Sequence, residues 1–217
     1  MDFIMLSDLE ISIFSIVVLI FSIIIHEVAH GYAAYALGDP TAKLSGRLTM
    51  NPLPHIDPIG SVLLPAFFVL SHSSILFGWA KPVPYNPYNL KNQRWGEAIV
   101  GAAGVATNFV LAIVFVLIAR FAFGIGESLF GQLAAIVALT NLFLGAFNLI
   151  PFPPLDGYTV LRGVLPYRYA QSFRNFEERL SSAGIFGLIA FLFIFSYILA
   201  GPFYNFVFWV FSLMLGQ

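Results

Sequence analysis

The sequence has no cysteine and very little charge. The absence of cysteine excludes disulfide bonds, cysteine-ligated zinc and thiol catalysis. Only 10% of the 217 residues are charged and 59% are hydrophobic, whereas soluble proteins usually carry about 25% charged residues. The formal net charge is −1, so the chain lacks the excess of positive charge with which many proteins neutralise nucleic-acid phosphates. The composition therefore indicates a membrane protein and excludes nucleic acid as a partner.

Long stretches of the chain contain no Asp, Glu, Lys or Arg. These stretches cover residues 11–26, 58–80, 98–119, 128–155 and 180–217. A transmembrane helix needs about 20 mainly apolar residues, so at least four of the stretches can supply one. We therefore predict an all-α polytopic membrane protein with about four to six membrane segments. We expect residues 1–217 to form a single integral membrane domain.

Glycine and proline divide the chain into helices and connections. Gly38-Asp39-Pro40 is a strong helix stop. The closely spaced Pro82, Pro84 and Pro87 favour extended backbone, because proline fixes φ and has no N–H to donate. Helices are predicted over residues 9–36, 95–123, 129–150 and 157–165, and the apolar tail over residues 183–216 is predicted to break at Gly201-Pro202.

The basic residues predict the orientation of the chain. Nine of the ten lie in the segments 37–58, 78–96 and 157–182, and positive charge marks the cytoplasmic side of a membrane protein. The stretch 59–77 then begins and ends on the cytoplasmic side, so we predict that it forms a re-entrant hairpin or two short passes. If it crossed the membrane once instead, His26 and Asp156 would lie on opposite faces.

The first helix contains the sequence His26-Glu27-Val28-Ala29-His30. This is the H-E-x-x-H pattern, in which two histidines one turn apart on a helix can bind one metal ion. The glutamate between them is placed to act as general base on a metal-bound water. The motif directly follows Ile23-Ile24-Ile25, and ionisable groups within a membrane need a partner, a metal or water. We therefore predict a metal site here rather than a solvated interfacial motif.

A hydrolytic zinc site needs a third protein ligand and leaves one position for water. The candidates are His55, His72, Asp39, Asp57 and Asp156. Asp156 follows 28 uncharged residues and the broken stretch Pro151-Phe152-Pro153-Pro154. It could equally cap the short helix that begins at residue 157. From spacing alone, the two interpretations are evenly balanced.

Two of these motifs together resemble the site-2 protease family of intramembrane zinc metalloproteases. They are the motif at residues 26–30 and the stretch from Asn148 through Pro151 to Pro154-Leu155-Asp156-Gly157. Residues 51–60 and 78–84 are similar to the compact branch of that family, and we expect no appended PDZ or CBS domain. In the predicted helix over 95–123, residues 104–108 keep the family's glycine and asparagine, but Val105 replaces its usual proline.

The resemblance implies a single Zn²⁺ per chain, bound by His26, His30 and Asp156. It implies that Glu27 is the catalytic base and that Asn148 helps to orient water or substrate. The substrates would be transmembrane segments of other proteins, cut near the cytoplasmic side. The lipid bilayer is the remaining expected partner, and we expect an integral protein of a prokaryotic cell membrane. His55 and Asp57 are predicted to lie near the metal without binding it.

The sequence also permits other interpretations. A divalent-metal transporter could use the same His, Glu and Asp residues, although no internal repeat of the kind common in transporters is visible. A catalytically inactive membrane binding protein could hold the metal only for structural stability, but such a site would not need Glu27 as a base. For a protease, residues 79–87 or part of 41–50 could capture an unwound substrate by strand addition.

Overall fold

The computed structural model describes residues 7–63, 70, 79–182 and 184–216. The regular secondary structure of these residues is helical, and none of them lies in a β-strand. In chain order, the elements are α1 (Asp8–Ala36), α2 (Thr41–Leu44), a 3-10 turn (Leu53–His55), a π-helical turn (Pro58–Leu63), a second 3-10 turn (Pro87–Asn89), α3 (Gly96–Gly124), α4 (Ser128–Asn148), α5 (Asp156–Val164), α6 (Tyr167–Ser182), α7 (Ile185–Ile194), a second π-helical turn (Phe195–Leu199) and α8 (Ala200–Leu215). The all-α prediction is confirmed. Within 41–50, which was one candidate for strand addition, residues 41–44 are helical and form α2.

Four helical segments in the described part of the chain are long and apolar enough to span a bilayer. They are α1, α3, α4 and the continuous helical segment Phe195–Leu215. Large apolar side chains on their outer faces are exposed, among them Ile13, Leu117 and Phe121. An apolar surface of this extent is suited to lipid rather than water, so the protein is an integral membrane protein.

The helices α1 and α3 are antiparallel neighbours. The C-terminal end of α1 meets the segment leading into α3, because the Lys91 N–H donates to the Leu37 carbonyl at 2.8 Å. The connection 37–95 therefore starts and ends at the same end of the bundle. This agrees with the prediction that residues 59–77 do not cross the membrane once. Most of the predicted hairpin lies outside the described residues.

Residues 79–86 form an extended strap across that end of the bundle. Alternate residues of the strap are fixed by hydrogen bonds: the Trp79 and Lys81 N–H groups donate to the carbonyls of Gly60 and His55, and the Lys81 carbonyl accepts from Arg47. The Val83 side chain packs against Gly31 of α1, where an added Cβ would lie 2.8 Å from Val83 Cγ1. The predicted extended segment is therefore present as far as Asn86 and is seated directly on α1, but the prediction is wrong for Pro87, which begins the second 3-10 turn.

The buried Asp39 fastens the far end of the strap. Its carboxylate accepts hydrogen bonds from Thr41, from the Asn86 N–H at 2.6 Å and from Asn89 Nδ2 at 2.8 Å. Burial alone would raise the pKa of Asp39, but these hydrogen bonds outweigh it and hold that pKa below its ordinary value. Asp39 is thus an ionised anchor between the end of α1 and the strap.

Ion pairs attach α5 and α6 to the start of α3. Glu97 pairs with Arg162 of α5 at 3.0 Å and with Arg174 of α6 at 2.9 Å, and Arg162 also pairs with Glu177. This network fixes α5, whose first residue is Asp156, against the same helix that contacts α1.

The predicted break in the tail lies one turn earlier than expected. Gly201 and Pro202 lie within the first turn of α8, and the irregularity is the π-helical turn Phe195–Leu199 that precedes them. Proline is tolerated in a first helical turn, but it cannot donate to the carbonyl four residues before it, here Ile198. The chain therefore adjusts before the proline rather than at it.

Candidate metal centre

The H-E-x-x-H motif lies in the second half of α1, and both histidines are buried. His26 and His30 are one turn apart, and their Nε2 atoms are separated by 3.0 Å. Asp156 Oδ2 lies 2.9 Å from His26 Nε2 and 3.3 Å from His30 Nε2. Among the described residues, these three form the group of His, Asp and Glu side chains that could hold a metal ion. The structure thus brings together the three predicted ligands, which are separated by up to 130 positions in the sequence.

The hydrogen bonds of the two imidazoles indicate that a cation belongs between them. His30 Nδ1 is 2.7 Å from the Val100 carbonyl, which can only accept, so Nδ1 carries a proton. His26 Nδ1 faces Asn108 Oδ1 at 2.5 Å. In their neutral forms, both histidines therefore direct an Nε2 lone pair towards the Asp156 carboxylate. Three acceptors that face each other repel unless a cation lies between them.

The spacing of these atoms fits zinc. Tetrahedral zinc with ligand bonds of about 2.0–2.1 Å places neighbouring ligand atoms about 3.3 Å apart, and the three separations here are 2.9, 3.0 and 3.3 Å. Asp156 Oδ2 is buried and accepts no hydrogen bond from the described residues. A buried carboxylate oxygen without a donor is costly, and a bound cation would remove that cost.

One face of α3 accommodates both imidazoles. Val100, Gly104 and Asn108 follow each other at intervals of one turn, so they line up along the helix. The two outer residues contact the histidine Nδ1 atoms, and Gly104 lies between them. A Cβ at Gly104 would lie 2.4 Å from His30 Nε2 and 2.7 Å from His26 Cε1. Gly104 therefore provides the space in which the two rings meet.

Asp156 is presented by the broken backbone between α4 and α5. It is the first residue of α5, and its N-cap position is taken by Leu155, which makes no side-chain capping hydrogen bond. Asp156 therefore does not cap the helix, and its side chain points towards the two histidines. Gly157 permits this approach, since a Cβ there would lie 2.1 Å from the Leu149 carbonyl oxygen.

Glu27 lies beside the three converging atoms and is bound to the strap. One of its carboxylate oxygens accepts a hydrogen bond from the Val83 N–H at 2.7 Å. Nothing in the sequence signalled this contact, because the donor is a backbone group 56 residues away. It fixes one oxygen of the predicted base, so the position of the strap and the orientation of Glu27 are linked.

The motif residues open into a cavity of about 400 Å³. The remaining walls are mainly apolar and come from α1, the strap, α3, α4, the α4–α5 connection, α5 and α7. Their residues are Ile23, Trp79, Ala80, Pro82, Val83, Tyr85, Val100, Gly101, Leu144, Phe147, Asn148, Pro154, Leu155, Thr159 and Phe191. Burial, reinforced by the nearby negative charge of Glu97, raises the pKa of Tyr85 to about 12. Tyr85 is therefore a neutral phenol in the cavity wall at physiological pH.

Asn148 reaches this cavity as the last residue of α4. Its side-chain Nδ2 donates to the Leu144 carbonyl at 3.0 Å, one turn earlier in the same helix. That bond fixes the orientation of the amide. The predicted role of Asn148 in orienting water or substrate stays a prediction.

The other candidate ligands make different contacts. Asp39 fastens the strap. His55 donates from Nε2 to the Thr49 carbonyl at 3.0 Å, and Asp57 accepts from the N–H groups of Ile59 and Gly60. Both belong to the loop that holds the strap, because the His55 carbonyl accepts from Lys81. His72 lies outside the described residues.

Sequence reasoning missed two buried asparagines near the candidate metal centre. The sequence marks Asn108 only as part of a family pattern and gives Asn141 no predicted role, yet Asn108 contacts His26 and donates to Asn141 at 2.9 Å. Each lies in the middle of a mainly apolar helix. A polar side chain within a membrane helix needs a partner, and that signal was available in the sequence.

Comparisons with known proteins agree with the geometry. Residues 125–192 match Peptidase family M50. The chain is 36% identical over 203 residues to "Putative zinc metalloprotease YwhC" of Bacillus subtilis, covering 90% of this chain and 85% of that protein. It is 29% identical over 192 residues to "Putative zinc metalloprotease Rip2" of Mycobacterium tuberculosis, covering 88% of this chain and 70% of the relative. No solved structure is a significant match.

Proposed function

Since this chain belongs to peptidase family M50, the site-2 protease family, and is a zinc metalloendopeptidase, we propose that it cleaves transmembrane segments of other membrane proteins within the bilayer. The observation that carries the proposal is the convergence of His26, His30 and Asp156 beside Glu27 in a cavity with mainly apolar walls. An apolar cavity within a helical bundle accommodates a hydrophobic peptide better than a polar one.

In this proposal, His26 Nε2, His30 Nε2 and an Asp156 oxygen bind one zinc ion per chain. Zinc bound there supplies a Lewis acid that polarises a carbonyl and lowers the pKa of bound water to about 7. Asp156 also offsets part of the positive charge. The α3 contacts of the two Nδ1 atoms keep the imidazoles in the orientation that metal binding requires.

Glu27 is the general base and then the general acid. One carboxylate oxygen is fixed by the Val83 N–H, so the other is free to accept the proton of the attacking water. Water oxygen forms the new bond to the scissile carbonyl carbon, and the peptide C–N bond breaks. The carboxyl group then passes the proton to the leaving amine nitrogen.

The substrate must be locally unwound, because a helix keeps its carbonyls in backbone hydrogen bonds. The strap lies along the cavity, and the hydrogen bonds of Trp79, Lys81 and Val83 fix one of its edges. The alternate residues Ala80, Pro82 and Pro84 direct their carbonyls to the opposite edge if the strap follows strand geometry. That edge could accept the N–H groups of an unwound substrate, and this role of the strap stays a prediction.

The positive-inside pattern supports an active site on the cytoplasmic side of a prokaryotic cell membrane. The end of the bundle that holds Asp39, Lys81 and Asp156 also holds most basic residues. Substrates would enter from the bilayer and be cut near that surface. This placement belongs to the proposal.

A cleavage assay with a matched pair of variants tests the function. Glu27→Gln keeps the size of the side chain but removes the base, so purified Glu27→Gln should bind zinc like wild type and lose cleavage of membrane-spanning substrates. Asp156→Ala should lose both, because it removes a ligand. Full cleavage by Glu27→Gln would refute the assigned base. Metal flux through the wild type in proteoliposomes, without cleavage, would favour a transporter instead.

A further inference from the structure

Three buried polar side chains connect His26 to the interior of the bundle. They are Ser22 of α1, Asn108 of α3 and Asn141 of α4, and both asparagines are 0% exposed. Each is surrounded by apolar helix faces, where an unpaired polar group is costly. Three transmembrane helices, α1, α3 and α4, meet at these residues. Their side-chain hydrogen bonds therefore lie inside the bundle and are not replaced by contacts with water at its surface.

One backbone carbonyl determines the direction of every hydrogen bond in the series that joins these three side chains to His26. The Val137 carbonyl can only accept, and Asn141 Nδ2 donates to it at 2.9 Å and to Ser22 Oγ at 2.9 Å. Asn141 must therefore turn its Oδ1 towards Asn108, whose Nδ2 donates to it at 2.9 Å. Asn108 in turn presents its own Oδ1, 2.5 Å from His26 Nδ1.

An amide oxygen accepts, so His26 must carry its proton on Nδ1 and leave Nε2 as a lone pair. His30 reaches the same state through a single contact with the Val100 carbonyl. The two ligands therefore have the same tautomer but different supports. A backbone carbonyl fixes the tautomer of His30, whereas the side-chain amides of Asn108 and Asn141 together fix the tautomer of His26.

We propose that Asn108 and Asn141 are positioning residues that set the tautomer and ring orientation of His26 for metal binding. The inference rests on the proposed function, because it assumes that His26 binds zinc. Asn108 acts directly on His26. Asn141 acts through Asn108 and contacts neither histidine nor Asp156.

Asn141 matters, although it does not touch His26, because the two ends of the Asn108 amide differ: the oxygen accepts a hydrogen bond and the NH₂ group donates one. Without Asn141, the Asn108 amide can turn over and present its NH₂ group to His26 Nδ1. That contact requires a lone pair on Nδ1 and moves the proton to Nε2, where it blocks the metal. A carboxylate has no such asymmetry, because both ends accept. An aspartate at position 108 should therefore be insensitive to the loss of Asn141.

The test measures zinc affinity of the full-length protein in detergent, by competition with a chromophoric chelator. Asn108→Leu should weaken zinc binding by about 10–100-fold, the effect typical of losing an outer-shell partner of a metal ligand, and Asn141→Leu by about 10-fold. The double variant Asn108→Asp/Asn141→Leu should recover to within about threefold of Asn108→Asp alone. A packing defect at Asn141 would not be repaired in this way.

A matched control is Asn205→Leu, which replaces an exposed asparagine of α8 and should leave zinc affinity unchanged. Equal affinity of wild type, Asn108→Leu and Asn141→Leu would overturn the inference while the proposed function stands. Failure of the aspartate to restore affinity would also overturn it. A wild type that binds no zinc would refute the proposed function and this inference with it.

A second measurement uses the wild type itself and needs no variant. The chain has four histidines, so the ¹⁵N spectrum of the zinc-loaded, histidine-labelled protein is simple enough to resolve individual rings. Both rings that bind zinc should be metallated at Nε2 and protonated at Nδ1. A ring that binds the metal through Nδ1 would overturn the inference.

Discussion

Replacing Gly104 with alanine should disrupt the proposed metal centre by adding one methyl group. The new Cβ would lie 2.4 Å from His30 Nε2 and 2.7 Å from His26 Cε1. To reach ordinary van der Waals contact, the His30 ring would have to move by about 1 Å. Neither ring moves freely, because Val100 and Asn108 hold their Nδ1 atoms. The steric conflict therefore falls on the atoms that we propose bind the metal.

The size of the effect follows from the tolerance of zinc coordination. Zinc–ligand distances must stay within about 0.2 Å of their normal values, so a displacement of about 1 Å removes at least one ligand. We expect Gly104→Ala to weaken zinc binding by more than about 100-fold, beyond the range for an outer-shell partner. Cleavage should fall in parallel. The measurement is chelator competition on the purified protein, followed by the cleavage assay at saturating zinc.

Gly124→Ala is the matched control for this substitution. It makes the same change in the last residue of α3, where an added Cβ meets nothing within 4 Å. Its zinc affinity and cleavage should equal those of wild type. Normal zinc binding by Gly104→Ala would refute the argument that the α1–α3 contact shapes the centre.

Two further predictions concern the strap. Val83→Pro removes the N–H that fixes Glu27. Because Pro84 already keeps residue 83 extended, kcat should fall by about 10–100-fold through misplacement of the base, with zinc affinity unchanged. Val83→Ala keeps the N–H as a control, and equal kcat for the two variants would contradict this role. Asp39, whose pKa is held low, stabilises the folded protein above its unfolded pKa of about 3.9. That stability is lost as pH falls through the folded pKa, so Tm should drop more steeply from pH 5 to pH 3 in wild type than in Asp39→Asn, and parallel curves would exclude Asp39 as the anchor.

The parts of the centre that were predictable from sequence are those set by local geometry. His26 and His30 lie one turn apart on a single helix, so their spacing in the sequence fixes their spacing in space. Asp156 was harder, because a residue that follows broken backbone can cap a helix or point away from it. The resemblance to a known family, rather than spacing, separated these alternatives, and the structure shows Asp156 turned towards the histidines.

The supports of the centre depend on how helices pair, and no local pattern encodes that. Val100, Gly104 and Asn108 are spaced by single turns, but they face His30 and His26 only because α1 and α3 pack antiparallel in one register. A slip of either helix by one residue would turn the stripe by about 100° away from the imidazoles. Polar and small residues in apolar helices mark such contacts. The register that joins them appears only in three dimensions, and it makes a pair of histidines into a site that can hold a metal.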